Sequence, residues 1–159
     1  MSSKTRLEKL VIIPTFNEKE NISDILHAIF ALQKGYHILV VDDNSPDGTA
    51  SIVKLLFNTF PQQLFILERP GKQGLGTAYI HGFQWALQNG YRFIFEMDAD
   101  FSHDPADLER LYEACKMDGA DVAVGSRYVP GGKIENWPAD RHIYSKGGAL
   151  YTRILTGMP

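Results

Sequence analysis

Two aspartates one residue apart, Asp98 and Asp100, close the apolar run Phe93-Ile94-Phe95-Glu96-Met97. Carboxylates this close repel one another, and keeping both ionised costs free energy unless a cation or hydrogen-bond donors sit nearby. A divalent cation removes that cost. Mg²⁺ takes a few protein oxygens together with substrate phosphates, and Mn²⁺ suits carboxylate and water ligands as well. Asp-x-Asp alone is common, and two solvated loop acids would look the same. Its weight comes from the other runs: Pro14-Thr15-Phe16-Asn17-Glu18, Asp42-Asp43-Asn44-Ser45-Pro46-Asp47-Gly48-Thr49 and Gly125-Ser126-Arg127-Tyr128 each end or follow an apolar run of their own. An acid after an early strand, here Asp42 or Glu18, is placed to accept from a ribose hydroxyl. Arg127 offers a planar guanidinium suited to phosphate. Asp47 and Thr49 read equally well as a turn and an N-cap.

These residues share a site only if the runs before them lie side by side. Five runs read as strands: Lys9–Pro14, His37–Asp42, Leu64–Glu68, Arg92–Met97 and Asp121–Gly125. Each is almost continuously apolar, as expected for a parallel sheet covered on both faces by helices. The segments between them carry helical stripes: Ile22, Ile25, Leu26, Ile29 and Phe30; Ile52, Val53, Leu55 and Leu56; Tyr79, Phe83, Ala86 and Leu87; Leu108, Leu111, Tyr112 and Cys115. Asn17 with Glu20 predicts a capping box, and Gly90 and Gly119 stand where helix C-caps belong. A looser stretch with Pro130, Gly131, Gly132 and Pro138 precedes a helix expected from about His142 to Leu155. The alternation predicts an α/β fold with a mostly parallel sheet. Right-handed crossovers then align the strand C-termini along one edge, where ligands of such sheets bind.

Composition narrows the partners. At 159 residues the chain is long enough for one domain, and its 44% hydrophobic and 22% charged residues are those of a globular protein. A net charge of −3 gives no reason to expect nucleic acid. The single cysteine, Cys115, cannot form an internal disulfide, which fits a reducing compartment. No run approaches the roughly 18 apolar residues of a membrane span, so membrane contact is expected to be peripheral. The histidines lack zinc spacing, and there is no Gly-x-Ser-x-Gly elbow. His103, close to the Asp-x-Asp, reads as a hydrogen bond at a helix start ahead of a substrate contact, and Trp137 and Tyr144 read as packing or an acceptor path. The segment Arg69-Pro70-Gly71-Lys72-Gln73-Gly74-Leu75-Gly76 looks like a phosphate loop, but Gln73 stands where the P-loop needs Ser or Thr, and Tyr79 where the dinucleotide pattern needs glycine. It reads as a loop closing over a ligand or as a plain helix start.

Taken in order, Pro-Thr-Phe-Asn-Glu, Asp-Asp-Asn-Ser-Pro-Asp-Gly-Thr, Gly-Lys-x-Gly-Leu-Gly-x-Ala-Tyr, Met-Asp-Ala-Asp-x-Ser-His-x-Pro and Gly-Ser-Arg-Tyr resemble the dolichyl-phosphate (polyprenyl-phosphate) mannosyltransferases of glycosyltransferase family two. The resemblance runs from about residue 9 to the last residue and implies the GT-A (Rossmann-like) fold. It implies an inverting, metal-dependent transfer of mannose from GDP-mannose to a polyprenyl phosphate, at the cytoplasmic membrane face. Nucleotide-sugar contacts are implied at Pro14, Phe16, Glu18, Val40, Asp42, Asp98, Ala99, Asp100 and Arg127. Asp98, Asp100 and Arg127 carry the catalytic role, and Mg²⁺ or Mn²⁺ is implied on Asp98, Asp100 and Ser102, where several relatives have Gln instead of Ser102. Arg127, Arg141 and Lys146 would help the anionic acceptor approach. Family members continue past the equivalent of Gly157-Met158-Pro159 with an Asp-x-Thr-Gly-Gly-Phe-like segment, so the resemblance implies a nucleotide-sugar-binding domain over 1–159, shortened at its C-terminal end.

Two other readings fit the acids. A relative using UDP-glucose or another donor would share them, since the base is not legible in these residues. A non-catalytic nucleotide-binding or receiver-type domain would also cluster acids at strand ends, but a receiver's lone acid after the third strand is here Glu68-Arg69-Pro70. Arg127→Ala is expected to weaken donor binding about tenfold, the worth of a charge-assisted phosphate contact, with an unchanged far-ultraviolet circular dichroism spectrum. An unfolded variant would make Arg127 a structural residue.

Overall fold

The computed structural model describes residues 8–126 together with Gly147, Gly148, Tyr151, Leu155 and Gly157. Contacts divide the chain into two compact units, Met1–Ala123 and Val124–Pro159.

In the first unit the described residues form β1 (Lys9–Thr15), α1 (Ile22–Ala31), β2 (Tyr36–Asp42), α2 (Thr49–Leu55) running into a 3₁₀ turn, β3 (Leu64–Glu68), α3 (Leu75–Gln88), β4 (Phe93–Glu96) and α4 (Asp107–Lys116). The strands make one sheet in the order β3-β2-β1-β4, with every pairing parallel. This is the parallel α/β architecture that the alternating pattern predicts.

Side-chain alternation divides each central strand between two apolar layers. Val11 and Ile13 of β1 and Ile38 and Val40 of β2 join Ile22, Ile25, Leu26, Val53, Leu108 and Tyr112, so α1, α2 and α4 cover one face. Leu10, Ile12, Leu39 and Val41 point the other way, onto Ala78 and Ala86 of α3. Burial on both faces explains why the strands read as unbroken apolar runs.

Helix α3 lies close to the sheet because its buried seam is small: Ala78, Gly82 and Ala86, spaced by four. A Cβ built on Gly82 would stand 2.7 Å from Ile12 Cγ2. The stripes expected from sequence hold in their buried members, while Leu55 and Leu87 are exposed. Leu55 lies two residues from buried Val53, about 200° around the helix, and Leu87 one residue from Ala86, so neither shares the inward line.

Two expectations need correction. The capping box on Asn17 and Glu20 does not form, because α1 begins later: Asn21 is its N-cap, and the Glu18 carbonyl accepts from the N–H of Asn21 and Ile22. Asn17 instead adopts φ +62° in the loop. The fifth strand is also absent among the described residues: Asp121–Gly125 pairs with none of them, and Val122 and Val124 are exposed. A strand needs a neighbour for its N–H and C=O groups, and apolar composition does not provide one. In the second unit Gly147, Gly148, Tyr151 and Leu155 are helical, within the helix expected from about His142 to Leu155.

Gly82→Val should lower stability by about 1–3 kcal/mol, the usual cost of forcing extra carbon into a packed core. Combined with Ile12→Ala, itself a costly core truncation, the loss in urea denaturation should be clearly smaller than the sum of the two single losses. Additive losses would show that the α3 contact with Ile12 is not what limits the position.

Candidate functional site

The winding of the sheet reverses at β1. From β1 the chain steps outward to β2 and β3, then crosses by α3 to lay β4 against the other side of β1. Connections leaving the C-terminal ends of β1 and β4 therefore run in opposite directions and leave a crevice between them. Pro14 sharpens this. In a parallel ladder alternate residues of β1 address β2 and β4; the Ile12 carbonyl accepts from Met97 N–H on the β4 side, and the Thr15 carbonyl from Asp43 N–H on the β2 side. Pro14, two residues after Ile12, has no N–H to offer β4. The β1–β4 ladder ends at Ile12↔Glu96, whereas β1 and β2 remain paired to Thr15↔Asp42.

The loops after β1 and β2 are tied through two carboxylates. Asp42, only 1% exposed, accepts from Thr15 Oγ1 at 2.8 Å, Ser45 Oγ at 2.6 Å and Ser45 N at 2.9 Å. Ser45 Oγ in turn accepts from Asn17 N. Asp47 accepts from the Thr49 N–H and hydroxyl and from Lys19 N, and buried Thr49 accepts from Glu18 N. Partial desolvation works against ionising Asp47, but these donors outweigh it and hold its carboxyl below the usual carboxylate range. The turn reading of Asp47 is therefore realised, but the cap is not: Gly48 is the N-cap of α2, without a side-chain cap bond, and Thr49 is the first helical residue.

Asp43 points elsewhere. Its Oδ1 accepts from Arg69 Nε and lies against Arg69 Nη2, while its Oδ2 accepts from Gln73 N. Arg69 Nη1 donates to Thr77 Oγ1 at 2.8 Å and Nη2 to the Gly74 carbonyl. Both side chains are more than nine-tenths buried. This pair fixes the glycine-rich segment after β3 to the end of β2. Neither Arg69 nor this role for Asp43 is visible in the sequence, because the partners lie 26 residues apart. Lys72 of the same segment places its ammonium 4.5 Å from the centre of the Phe16 ring.

After β4, Asp98 is half-buried and Asp100 exposed. The Tyr79 hydroxyl lies 3.4 Å from Asp98 Oδ1; burial and then the Asp98 charge raise the phenol's pKa, so it remains a donor. Asp98 N–H faces His103 Nδ1, also at 3.4 Å, so His103 sits behind Asp98 rather than at the start of α4. Asp100 Oδ1 accepts from Ser102 N at 2.9 Å. Hydrogen bonds from the Ser102 backbone and hydroxyl hold the Asp100 carboxyl below its usual range, so it is ionised at neutral pH. Phe101 between them has φ +58°, a strained setting for a bulky side chain.

Of the residues singled out, Pro14, Phe16 and Glu18 lie at and after the end of β1, and Asp98, Ala99, Asp100 and Ser102 after β4, on the two sides of the crevice. Glu18 accepts from Asn21 Nδ2 at 2.9 Å. Val40 is fully buried within β2 and Ala99 is 3% exposed, so their side chains belong to the interior. Arg127, Trp137, Arg141, Tyr144 and Lys146 lie outside the described residues. Among the described residues, no three His, Cys, Asp or Glu side chains gather as a protein-only metal cage. Two carboxylates, one held ionised, instead fit a hard cation that takes its remaining oxygens from a phosphate ligand and water. A depression of about 300 Å³ beside Phe30, Tyr36 and Phe60 opens at the start of β2, away from these groups.

The geometry describes a doubly wound α/β domain with acids at its switch point, the arrangement of nucleotide-binding sheets. The chain belongs to glycosyltransferase family 2, whose pattern it matches over residues 10–157. It is 48% identical over 149 residues to the polyprenol monophosphomannose synthase of Mycolicibacterium smegmatis, an alignment covering 94% of this chain and 56% of that protein. It is 46% identical to the undecaprenyl-phosphate mannosyltransferase of Micrococcus luteus, covering 94% of this chain and 60% of that protein. Identity to the dolichol-phosphate mannosyltransferase of Pyrococcus furiosus is 44%, covering 91% and 40%. The chain thus spans between 40 and 60% of the length of these relatives. Among solved structures, a mannosyltransferase from Pyrobaculum calidifontis in complex with GDP-Man and Mn²⁺ matches 50% of this chain and 24% of its own, at 30% identity and a TM-score of 0.46. No helix among the described residues is long and apolar enough to cross a membrane.

Arg69→Met should destabilise the fold by about 3–5 kcal/mol, because it leaves the Asp43 carboxylate buried and unpaired. Adding Asp43→Asn removes that charge while keeping an acceptor for Gln73 N–H, and should restore much of the loss in chemical denaturation. A double variant no more stable than Arg69→Met would place the cost in the Thr77 and Gly74 contacts.

Proposed function

We propose that the chain is the donor-binding region of an inverting, metal-dependent glycosyltransferase that moves mannose from GDP-mannose to a polyprenyl phosphate. The carrying observation is the Asp98-x-Asp100 pair at the switch-point crevice, facing the Pro14-Thr15-Phe16 end of β1. Family membership and the three relatives, by name a polyprenol monophosphomannose synthase and mannosyltransferases for undecaprenyl phosphate and dolichol phosphate, support the same reading.

In this reading a phosphate oxygen of the acceptor attacks the anomeric carbon of mannose, forming a new C–O bond. The bond from that carbon to the diphosphate breaks on the opposite face, and GDP departs with the electron pair. The acceptor is already an anion near neutral pH, so no general base is required. Asp98 and Asp100 would hold Mg²⁺ or Mn²⁺, with Ser102 bracing Asp100 or adding a ligand. Such a cation supplies Lewis-acid stabilisation of charge on the departing diphosphate. The protein's own part is to fix the Asp98 backbone through His103 and to keep Asp100 ionised through Ser102. Pro14, Phe16, Glu18 and Asp42 would line the nucleotide. Asp42 already accepts hydrogen bonds from Thr15 and Ser45, so a ribose hydroxyl would use its remaining lone pairs. Arg127 would face the phosphates. A lipid acceptor places the work peripherally at the cytoplasmic face of a membrane.

Calorimetry tests the reading. GDP should bind with Mn²⁺ and bind at least about tenfold more weakly in EDTA, since even the outer partners of metal ligands are worth 10–100-fold. Asp100→Asn should abolish that metal dependence. Equal GDP affinity in EDTA would overturn the metal assignment, and tighter binding of UDP than of GDP would overturn the choice of donor.

A further inference from the structure

We propose that Lys72 is a donor-phosphate-binding residue, presented to the switch-point crevice by the buried Asp43–Arg69 pair; this rests on the nucleotide-sugar reading of the site. The glycine-rich segment after β3 matches neither the P-loop nor the dinucleotide pattern, and its sequence leaves a loop closing over a ligand and a plain helix start equally open. The contacts of Lys72 favour the first.

The segment starts at the strand edge and is held there from several directions. Arg69 N–H donates to the Asp42 carbonyl, the Arg69 side chain binds Asp43, Thr77 and the Gly74 carbonyl, Gln73 N–H reaches Asp43 Oδ2, and Asn44 Nδ2 lies 3.5 Å from the Pro70 carbonyl. With both ends pinned, Lys72 projects back across β2 to the loop after β1. Its ammonium rests over Phe16, which follows Thr15 at the crevice. Lys72 is itself exposed and has no carboxylate within ion-pair distance among the described residues.

The nearby acids Asp42 and Asp43 do not take it: both are buried and turned to Thr15, Ser45, Arg69 and Gln73, and neither lies within ion-pair distance of Lys72. A ring face offers an exposed ammonium a weaker contact than a phosphate oxygen does. Exchange of the Phe16 ring for a phosphate of the bound nucleoside diphosphate therefore runs downhill. Lysine serves here as a flexible point charge. It lets the loop add a cation to the diphosphate without the backbone cradle of a P-loop.

The test compares GDP and guanosine, with Mn²⁺ present, on the wild-type chain and on Lys72→Met, Lys72→Arg and Lys34→Met. GDP is followed by calorimetry and guanosine by competition against GDP. Lys34 is an exposed lysine before β2, at the opposite edge of the sheet. Lys72→Met should weaken GDP about tenfold and guanosine by less than about twofold, the expectation for one lost charge-assisted phosphate contact. Lys72→Arg should stay within about threefold of wild type, and Lys34→Met should match it. Unchanged GDP affinity in Lys72→Met, or equal losses for GDP and guanosine, overturns the assignment; the second outcome would place Lys72 with the base or ribose. A wild-type chain that binds no GDP overturns the nucleotide reading itself, a result distinct from either.

Discussion

β1 is paired along both edges and buried on both faces, and its ladder toward β4 ends where Pro14 has no N–H to donate. Much of the rest follows from that constraint. A strand so enclosed is apolar through its interior, Leu10 to Pro14, so its polar groups, Lys9 and Thr15, stand only at its two ends. With β2 and β3 wound to one side and β4 to the other, the C-terminal end is where the crossing connections part. Proline in a central strand is normally excluded because it breaks a ladder. Here the break falls at the switch point, and losing one ladder bond opens the crevice that Asp98 and Asp100 border.

The adjacent acids Asp42 and Asp43 show how an extended chain divides its charges. Successive residues point to opposite sides, so Asp42 turns to Thr15 and Ser45 while Asp43 turns to Arg69. Each is nearly inaccessible, and each is hydrogen-bonded, as buried carboxylates must be. Together they bind the loops after β1, β2 and β3 into one rim. The opposite edge carries a buried charge of a different kind. Lys9 lies between the rings of Tyr36 and Tyr112, at 4.6 and 4.1 Å, and reaches Glu109 at 3.5 Å. That cluster fastens α4 to the start of β1 and faces no crevice.

Positive φ falls on both ends of the strands: Gln33 and Gln62 precede β2 and β3, while Asn17, Asn44 and Phe101 lie in the loops after β1, β2 and β4. Asparagine tolerates this conformation at small cost, but phenylalanine does not. The Phe101 setting persists because the Ser102 N–H bond to Asp100 closes the turn around it, which keeps the carboxylate exposed and charged. Such strain persists only where the surrounding contacts over-determine it, here between two residues of the candidate site.

The sequence by itself determined the alternation of strands and helices, the acids at the strand ends and the family. These depend on local pattern: unbroken apolar runs, stripes spaced by three and four, and motifs read in order. It misread the start of α1, where Asn17 resembled a cap, because a capping box is a pattern that backbone geometry can decline. It overread Asp121–Gly125, because apolar character states a tendency to pair and not the presence of a partner. Only the tertiary structure decided which of the adjacent acids anchors which loop, that Arg69 is buried against Asp43, that Tyr79 and His103 stand behind Asp98, and that Lys72 lies over Phe16. Most of those contacts join loops that the strand order β3-β2-β1-β4 sets side by side. Arg69 and Asp43 tolerate burial because their mutual attraction and hydrogen bonds offset the cost of removing each from water, a condition that no local pattern in the chain records.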